Sequence, residues 1–159
     1  MSNFRLVPLP SALTDQARDT LRSPQYGHPA HRETASGTGP CRSCLAPFDV
    51  GVDERLLFTY DPFADLDDLP LPGPIFIHAQ RCVPHDGAGF PESLGAMPLV
   101  AETYRAGRPA AAHTPLTRGS EASDIAALLD DACVQWLHLR HAIAGCFVAR
   151  VDRISSNPS

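Results

Sequence analysis

The stretch CVQWLHLRHAIAGCFVARVDR, residues 133–153, decides the fold. Two runs rich in aromatic and β-branched residues, 133–140 and 146–153, flank a turn around Ala144-Gly145, which predicts an antiparallel hairpin. Side chains alternate along strands, so Leu137, Leu139, Phe147, Ala149 and Val151 are expected to share the core face. The other face then carries Val134, Trp136, His138 and Arg140 beside Cys146, Val148, Arg150 and Asp152. With Arg140 opposite Cys146, His138 would lie across from Val148, and Trp136 across from Arg150, placing a guanidinium over an indole.

Working outward, Ser120 precedes a helix whose Ile125, Leu128, Leu129 and Ala132 form an apolar stripe, with Glu121 and Asp124 at its positive end. Residues 4–9, 55–60, 75–79 and 110–116 read as further strands, and 99–105 as a helical turn or two. Ser11 is expected to cap a first helix reaching residue 21, with Leu9, Leu13, Ala17 and Leu21 on one face. Residues 22–40 show no apolar period and predict a mobile loop, either a lid or disordered. Residues 61–74 form an acidic connection holding Asp61, Asp65, Asp67 and Asp68, but the calcium-loop pattern is missing. The expectation is one α+β domain over 1–159: a mainly antiparallel sheet of about five strands, two helices, long loops and a flexible tail at 154–159.

Composition narrows the function. A net charge of −5 argues against a general nucleic-acid binder. No run reaches the roughly eighteen apolar residues of a membrane span, and the first residues show no secretory signal, so a cytoplasmic protein is expected. All 13 basic residues are arginine, which excludes lysine Schiff bases and phosphate-loop lysines. Five cysteines, an odd number, do not fit a secreted disulfide framework.

The pieces PCRSCL (40–45), GPIFIHAQRC (73–82) and GCFVARVDR (145–153) come in this order along the chain. In them the sequence resembles the bacterial DUF1203 family, whose function is unknown. The resemblance implies a stand-alone bacterial protein of about this length and supplies no catalytic residues.

Two constellations could carry chemistry. Cys41-x2-Cys44, with His78-x3-Cys82 and then His85, offers a Cys3His set for zinc: Cys41, Cys44, Cys82 and either His78 or His85. Two features count against it. Leu45 stands where zinc knuckles often keep a small residue, and the second pair is not C-x2-C. The bland reading makes these ordinary buried side chains. A nucleophilic Cys41 served by His28 or His31 is a third option.

The other constellation is the polar face of the hairpin. There His138 would act as acid or base, while Arg140 and Arg150 clamp an anionic small molecule, as in a cofactor-free enzyme of bacterial metabolism. The competing reading of the protein is a non-catalytic, zinc-stabilised interaction module built on Cys41, Cys44, His78 and Cys82. A third, weaker candidate is Tyr60 with Glu54.

Overall fold

The computed structural model describes residues 3–62, 73–105 and 108–154. In chain order the elements are β1 (Phe4–Val7), α1 (Ser11–Thr20), β2 (His31–Thr34), β3 (Glu54–Tyr60) and β4 (Gly73–His78). A short 3-10 turn (Glu92–Ala96) follows, then β5 (Leu99–Arg105), β6 (Arg108–Pro115), α2 (Glu121–Leu129), β7 (Val134–His141) and β8 (Phe147–Arg153). Eight strands and two helices make an α+β protein with two antiparallel sheets, the larger of five strands. The chain divides into two compact units, Met1–Val7 with His85–Ser159, and Pro8–Pro84. The acidic residues Asp65, Asp67 and Asp68, and the tail beyond Ile154, lie outside the described residues.

The unit containing the hairpin is built on the sheet β1-β8-β7-β5-β6. Leu137 and Leu139 on β7 stand opposite Val151 and Ala149 on β8, and all four are fully buried. Ile125 and Leu129 of α2, also buried, belong to the helix packed against β7 and β1. Burying side chains of this size stabilises by roughly 1.5–3 kcal/mol each. Ser120 does not cap α2 through its side chain. Instead Asp124 accepts the Thr117 N–H at 2.6 Å and Glu121 the Gly119 N–H at 3.0 Å, tying the preceding segment to the first turn of α2. At the other end, Arg153 Nη2 donates to the carbonyls of Leu129, Asp131 and Val134, satisfying groups that α2 leaves open.

Two sequence expectations are corrected in this sheet. Residues 99–105 are not helical; they form β5, which pairs with both β6 and β7. The hairpin register also differs by two residues, with His138 opposite Arg150 and Trp136 opposite Asp152. One residue of the difference comes from the turn, which sets His141 against Cys146, and the other from a bulge, where Leu139 pairs with Ala149 but Arg140 with Phe147. The extra residue, Val148, turns Phe147 away from the core parity and brings its ring to 5.0 Å from His138.

The other unit holds α1 and the sheet β2-β3-β4. Leu56 and Phe58 on β3 and Ile75 and Ile77 on β4 are its buried β residues. Part of the predicted 22–40 loop is strand β2, paired along β3 from His31↔Leu57 to Thr34↔Glu54. Arg55 explains why this polar segment is ordered. Its guanidinium donates to Glu33 Oε1 at 2.9 and 2.7 Å and to Ser36 at 3.1 Å, over the Phe76 ring at 3.8 Å. Ser11 is the first residue of α1 rather than its cap, Pro10 occupying that position. Leu21 ends the helix in the left-handed region (φ 53°) and is exposed, so it leaves the apolar stripe. Among the described residues no helix is long and apolar enough to cross a membrane.

Candidate metal centre

Within the unit Pro8–Pro84, the segment 41–46 folds into a tight turn. The Leu45 N–H donates to the Cys41 carbonyl (2.8 Å) and the Cys41 N–H to the Ala46 carbonyl (3.0 Å). This closure presents the Cys41 and Cys44 sulfurs to one point. Leu45 sits at φ 61°, a conformation costing roughly 1–2 kcal/mol for a residue with a Cβ. Its side chain is fully buried, and that burial offsets the strain. The residue that counted against a knuckle in the sequence therefore adopts the left-handed turn without being glycine. Gly39, at φ 91°, has no such freedom: a Cβ there would lie 2.5 Å from the Phe48 ring. That ring packs edge-on to His78, with centroids 4.7 Å apart.

β4 delivers the remaining donors. The Arg42 N–H donates to the Phe76 carbonyl (3.1 Å), tying the knuckle to β4, whose last residue is His78. Cys82 follows on irregular chain. The result is a cluster of Cys41, Cys44, His78 and Cys82 whose donor atoms all lie within 4.8 Å of one another. Cys41 Sγ is 3.9 Å from Cys82 Sγ, and Cys44 Sγ is 3.5 Å from His78 Nδ1. A tetrahedron with Zn–S of about 2.3 Å and Zn–N of about 2.05 Å has edges of about 3.8 Å between sulfurs and about 3.6 Å between sulfur and nitrogen. Both measured edges match it closely. They are far from the roughly 2.05 Å of a disulfide, and the cysteines are free thiols. The cluster is close enough to hold a metal ion such as zinc.

The surroundings orient the donors. His78 Nε2 lies 3.3 Å from Asp53 Oδ2, and Asp53 accepts the Asp49 N–H at 2.8 Å. The Asp49 N–H, helped by the imidazole, holds the Asp53 carboxyl below its ordinary value against the opposing effect of burial. A carboxylate on Nε2 leaves Nδ1 as the lone-pair nitrogen facing the sulfurs. Cys41 Sγ accepts the backbone N–H of His78 (3.3 Å) and of Ser43 (3.4 Å), and Cys82 Sγ accepts from Arg18 Nη2 (3.4 Å). The Cys41 and Cys44 thiols donate toward Cys82, holding it far below the ordinary thiol range. Cys44 is pushed well above that range by its contacts with Cys41 and Cys82 and by burial. A divalent ion would supply the charge that lets all three cysteines ionise.

Asp53 and Arg18 went unnoticed in the sequence. One signal for Asp53 was available: pairing RLLFTY antiparallel with GPIFIH sets Arg55 opposite His78, which brings the residues just before β3 alongside the end of β4. Asp53→Asn is expected to weaken zinc binding about 10–100-fold by releasing the imidazole. Competition with a chromogenic chelator reads this directly, and an unchanged affinity would deny Asp53 the orienting role.

Other candidates lie elsewhere. His85 accepts the Gly87 N–H (2.9 Å), His28 Nε2 accepts the Thr59 N–H (3.2 Å), and His31 pairs with Glu33 (3.4 Å). None of the three belongs to the cluster. Glu54 is engaged by an ion pair with Arg32.

His138, Arg140 and Arg150 do share one face of the five-stranded sheet. His138 is 2% exposed, between the rings of Tyr104 (5.1 Å) and Phe147 (5.0 Å). Burial, with help from Arg140 and Arg150, lowers its pKa to about 3. Arg140 Nε is 3.1 Å from Glu102 Oε2, which also accepts the Tyr104 hydroxyl at 2.6 Å. Arg150 donates to Asp152 (2.6 Å) and stacks 4.8 Å above Trp136.

No curated protein and no solved structure matches this sequence. One family profile does, over residues 38–153, described as "Protein of unknown function (DUF1203)". The match runs from just before the knuckle to the end of the closing hairpin, and it identifies the chain as a member of the DUF1203 family.

Proposed function

We propose that this protein is a zinc protein whose ion is structural, held by Cys41, Cys44, His78 Nδ1 and Cys82, and organising the loops of Pro8–Pro84 into a non-catalytic interaction module. The observation that carries the reading is the spacing of the donor atoms, all within 4.8 Å, with edges of 3.9 and 3.5 Å. Four protein donors fill a tetrahedron and leave no position for a substrate or an activated water, which is the mark of a structural site. Three thiolates and an imidazole select zinc over hard, oxygen-loving cations. Thiols kept reduced fit a reducing compartment, so the reading implies the cytoplasm.

The hairpin face has less support as an anion-binding site. Arg140 is engaged by Glu102, Arg150 by Asp152, and His138 is a buried neutral imidazole at physiological pH. Its groups read better as an internal network of ion pairs and ring contacts.

Protein purified without chelator is expected to contain about one zinc per chain. Substituting cobalt should give the intense absorption of a tetrahedral thiolate site. Purified protein free of metal, with no cobalt–thiolate band on titration, would sink the reading.

A further inference from the structure

Resting on that zinc site, we propose that Cys82 is an oxidation site: peroxide converts it to a sulfenic acid, Cys41 resolves this to a Cys41–Cys82 disulfide, and the zinc is released. Three observations favour this pair. Cys41 Sγ and Cys82 Sγ are 3.9 Å apart and need only approach to about 2.05 Å. Cys41 is fully buried and clamped in its turn by the Leu45 and Ala46 hydrogen bonds, so it is the fixed partner. Cys82 is partly exposed and lies on irregular chain beyond β4, flanked by exposed Arg81 and Val83. The Arg81 ion pairs to Asp15 (3.2 Å) and Asp19 (3.3 Å) are solvent-exposed and hold that segment weakly. As a zinc ligand Cys82 is held as a thiolate, the form that attacks peroxide.

The steps balance with hydrogen peroxide as the oxidant. The Cys82 thiolate attacks one peroxide oxygen, the O–O bond breaks, and the departing hydroxide takes a proton to leave as water. Cys82 sulfur is oxidised by two electrons and the peroxide is reduced. The Cys41 thiolate then attacks the Cys82 sulfur, the S–O bond breaks, and a second hydroxide leaves as water. Two of the four donors are now joined to each other, and Cys44 with His78 alone cannot hold the ion.

The test uses the full chain with Cys133→Ser and Cys146→Ser, so that no thiol outside the cluster reacts. Zinc-loaded protein is treated with hydrogen peroxide while a chromogenic chelator reports free zinc, and the products are alkylated and mapped by mass spectrometry. The expected result is about one zinc released per peroxide consumed, a Cys41–Cys82 linked peptide, and Cys44 carrying the alkyl label. Dithiol reductant with zinc should restore the loaded protein. Zinc retained in excess peroxide, a linkage through Cys44, or Cys82 found only as sulfinic or sulfonic acid would overturn the inference while leaving the zinc site standing. A chain that binds no zinc before oxidation fails at the earlier step, taking both the metal centre and its release with it.

Discussion

Cys41→Ser is expected to abolish zinc binding and to cost the unit Pro8–Pro84 its cooperative fold. The sulfur it removes is the central one of the cluster, fully buried and accepting the backbone N–H of His78 and of Ser43. A serine oxygen can accept those two hydrogen bonds, so the direct structural cost is small. What it cannot do is serve as a thiolate to a borderline-soft ion. Structural zinc contributes on the order of 10 kcal/mol of apparent binding free energy in small domains, comparable with the entire stability of a typical domain. The three-stranded sheet of this unit is small, and three of the four donors lie outside its strands. Hydrogen exchange at the Arg42–Phe76 and Cys41–Ala46 hydrogen bonds should rise toward the unprotected rate, both in the variant and in chelated wild type. Cys133→Ser, at an exposed position outside the cluster, should keep its zinc and its protection. If Cys41→Ser and chelated wild type retain the protection of the loaded protein, the ion is not what holds these loops.

What the sequence revealed of the metal centre was its donors, and what it hid was their support. Cys41, Cys44, His78 and Cys82 could be picked out because cysteine and histidine at short spacings are chemically distinctive. Arg18 could not, since an arginine on a helix looks like solvated surface until the fold sets it beside Cys82, and Asp53 emerges only once β3 and β4 are put in register. Leu45 misled for a related reason. Residue type reports a conformational preference, whereas the structure can hold a leucine at φ 61° when its side chain is buried.

The fold shows the same divide. The hairpin over 133–153 was legible because its strands alternate around a turn whose glycine does take a positive φ, 77° at Gly145. β5 was not, because Leu99, Ala101, Glu102, Thr103 and Tyr104 are all buried and the period-two signal disappears. β2, with the sequence HRET, carries no apolar pattern and is ordered by Arg55, Glu33 and pairing to β3. The bulge at Val148 left no signature in the residues, yet it moved the register by one and transferred Phe147 to the face of His138.

That transfer leads to the second large effect: acid should destabilise the five-stranded unit through His138. Its imidazole is enclosed by Tyr104 and Phe147, and Arg140 and Arg150 add positive charge nearby. The cross-strand carboxylate of Glu102 is shared among Arg140, Tyr104 and His113, and that of Asp152 is held by Arg150. The folded pKa is about 3, below the ordinary histidine value near 6.5. With the folded value depressed, the stability from the neutral ring is fully present above about pH 6.5 and is lost as pH falls toward 3. The full difference is on the order of 5 kcal/mol, comparable with the whole stability of a marginally stable domain. Trp136, the chain's one tryptophan, is stacked on Tyr104 (5.3 Å) on this same face, so its fluorescence follows this unit apart from events at the metal. Denaturant titrations followed at Trp136 should show wild type losing stability steadily from pH 6.5 downward. His138→Phe, which keeps an aromatic ring between Tyr104 and Phe147 but cannot take a proton, should lose much less over the same range. Parallel pH profiles for the two proteins would mean that the imidazole is protonated in the folded state at little cost, and the face would then regain its claim as a site for anions.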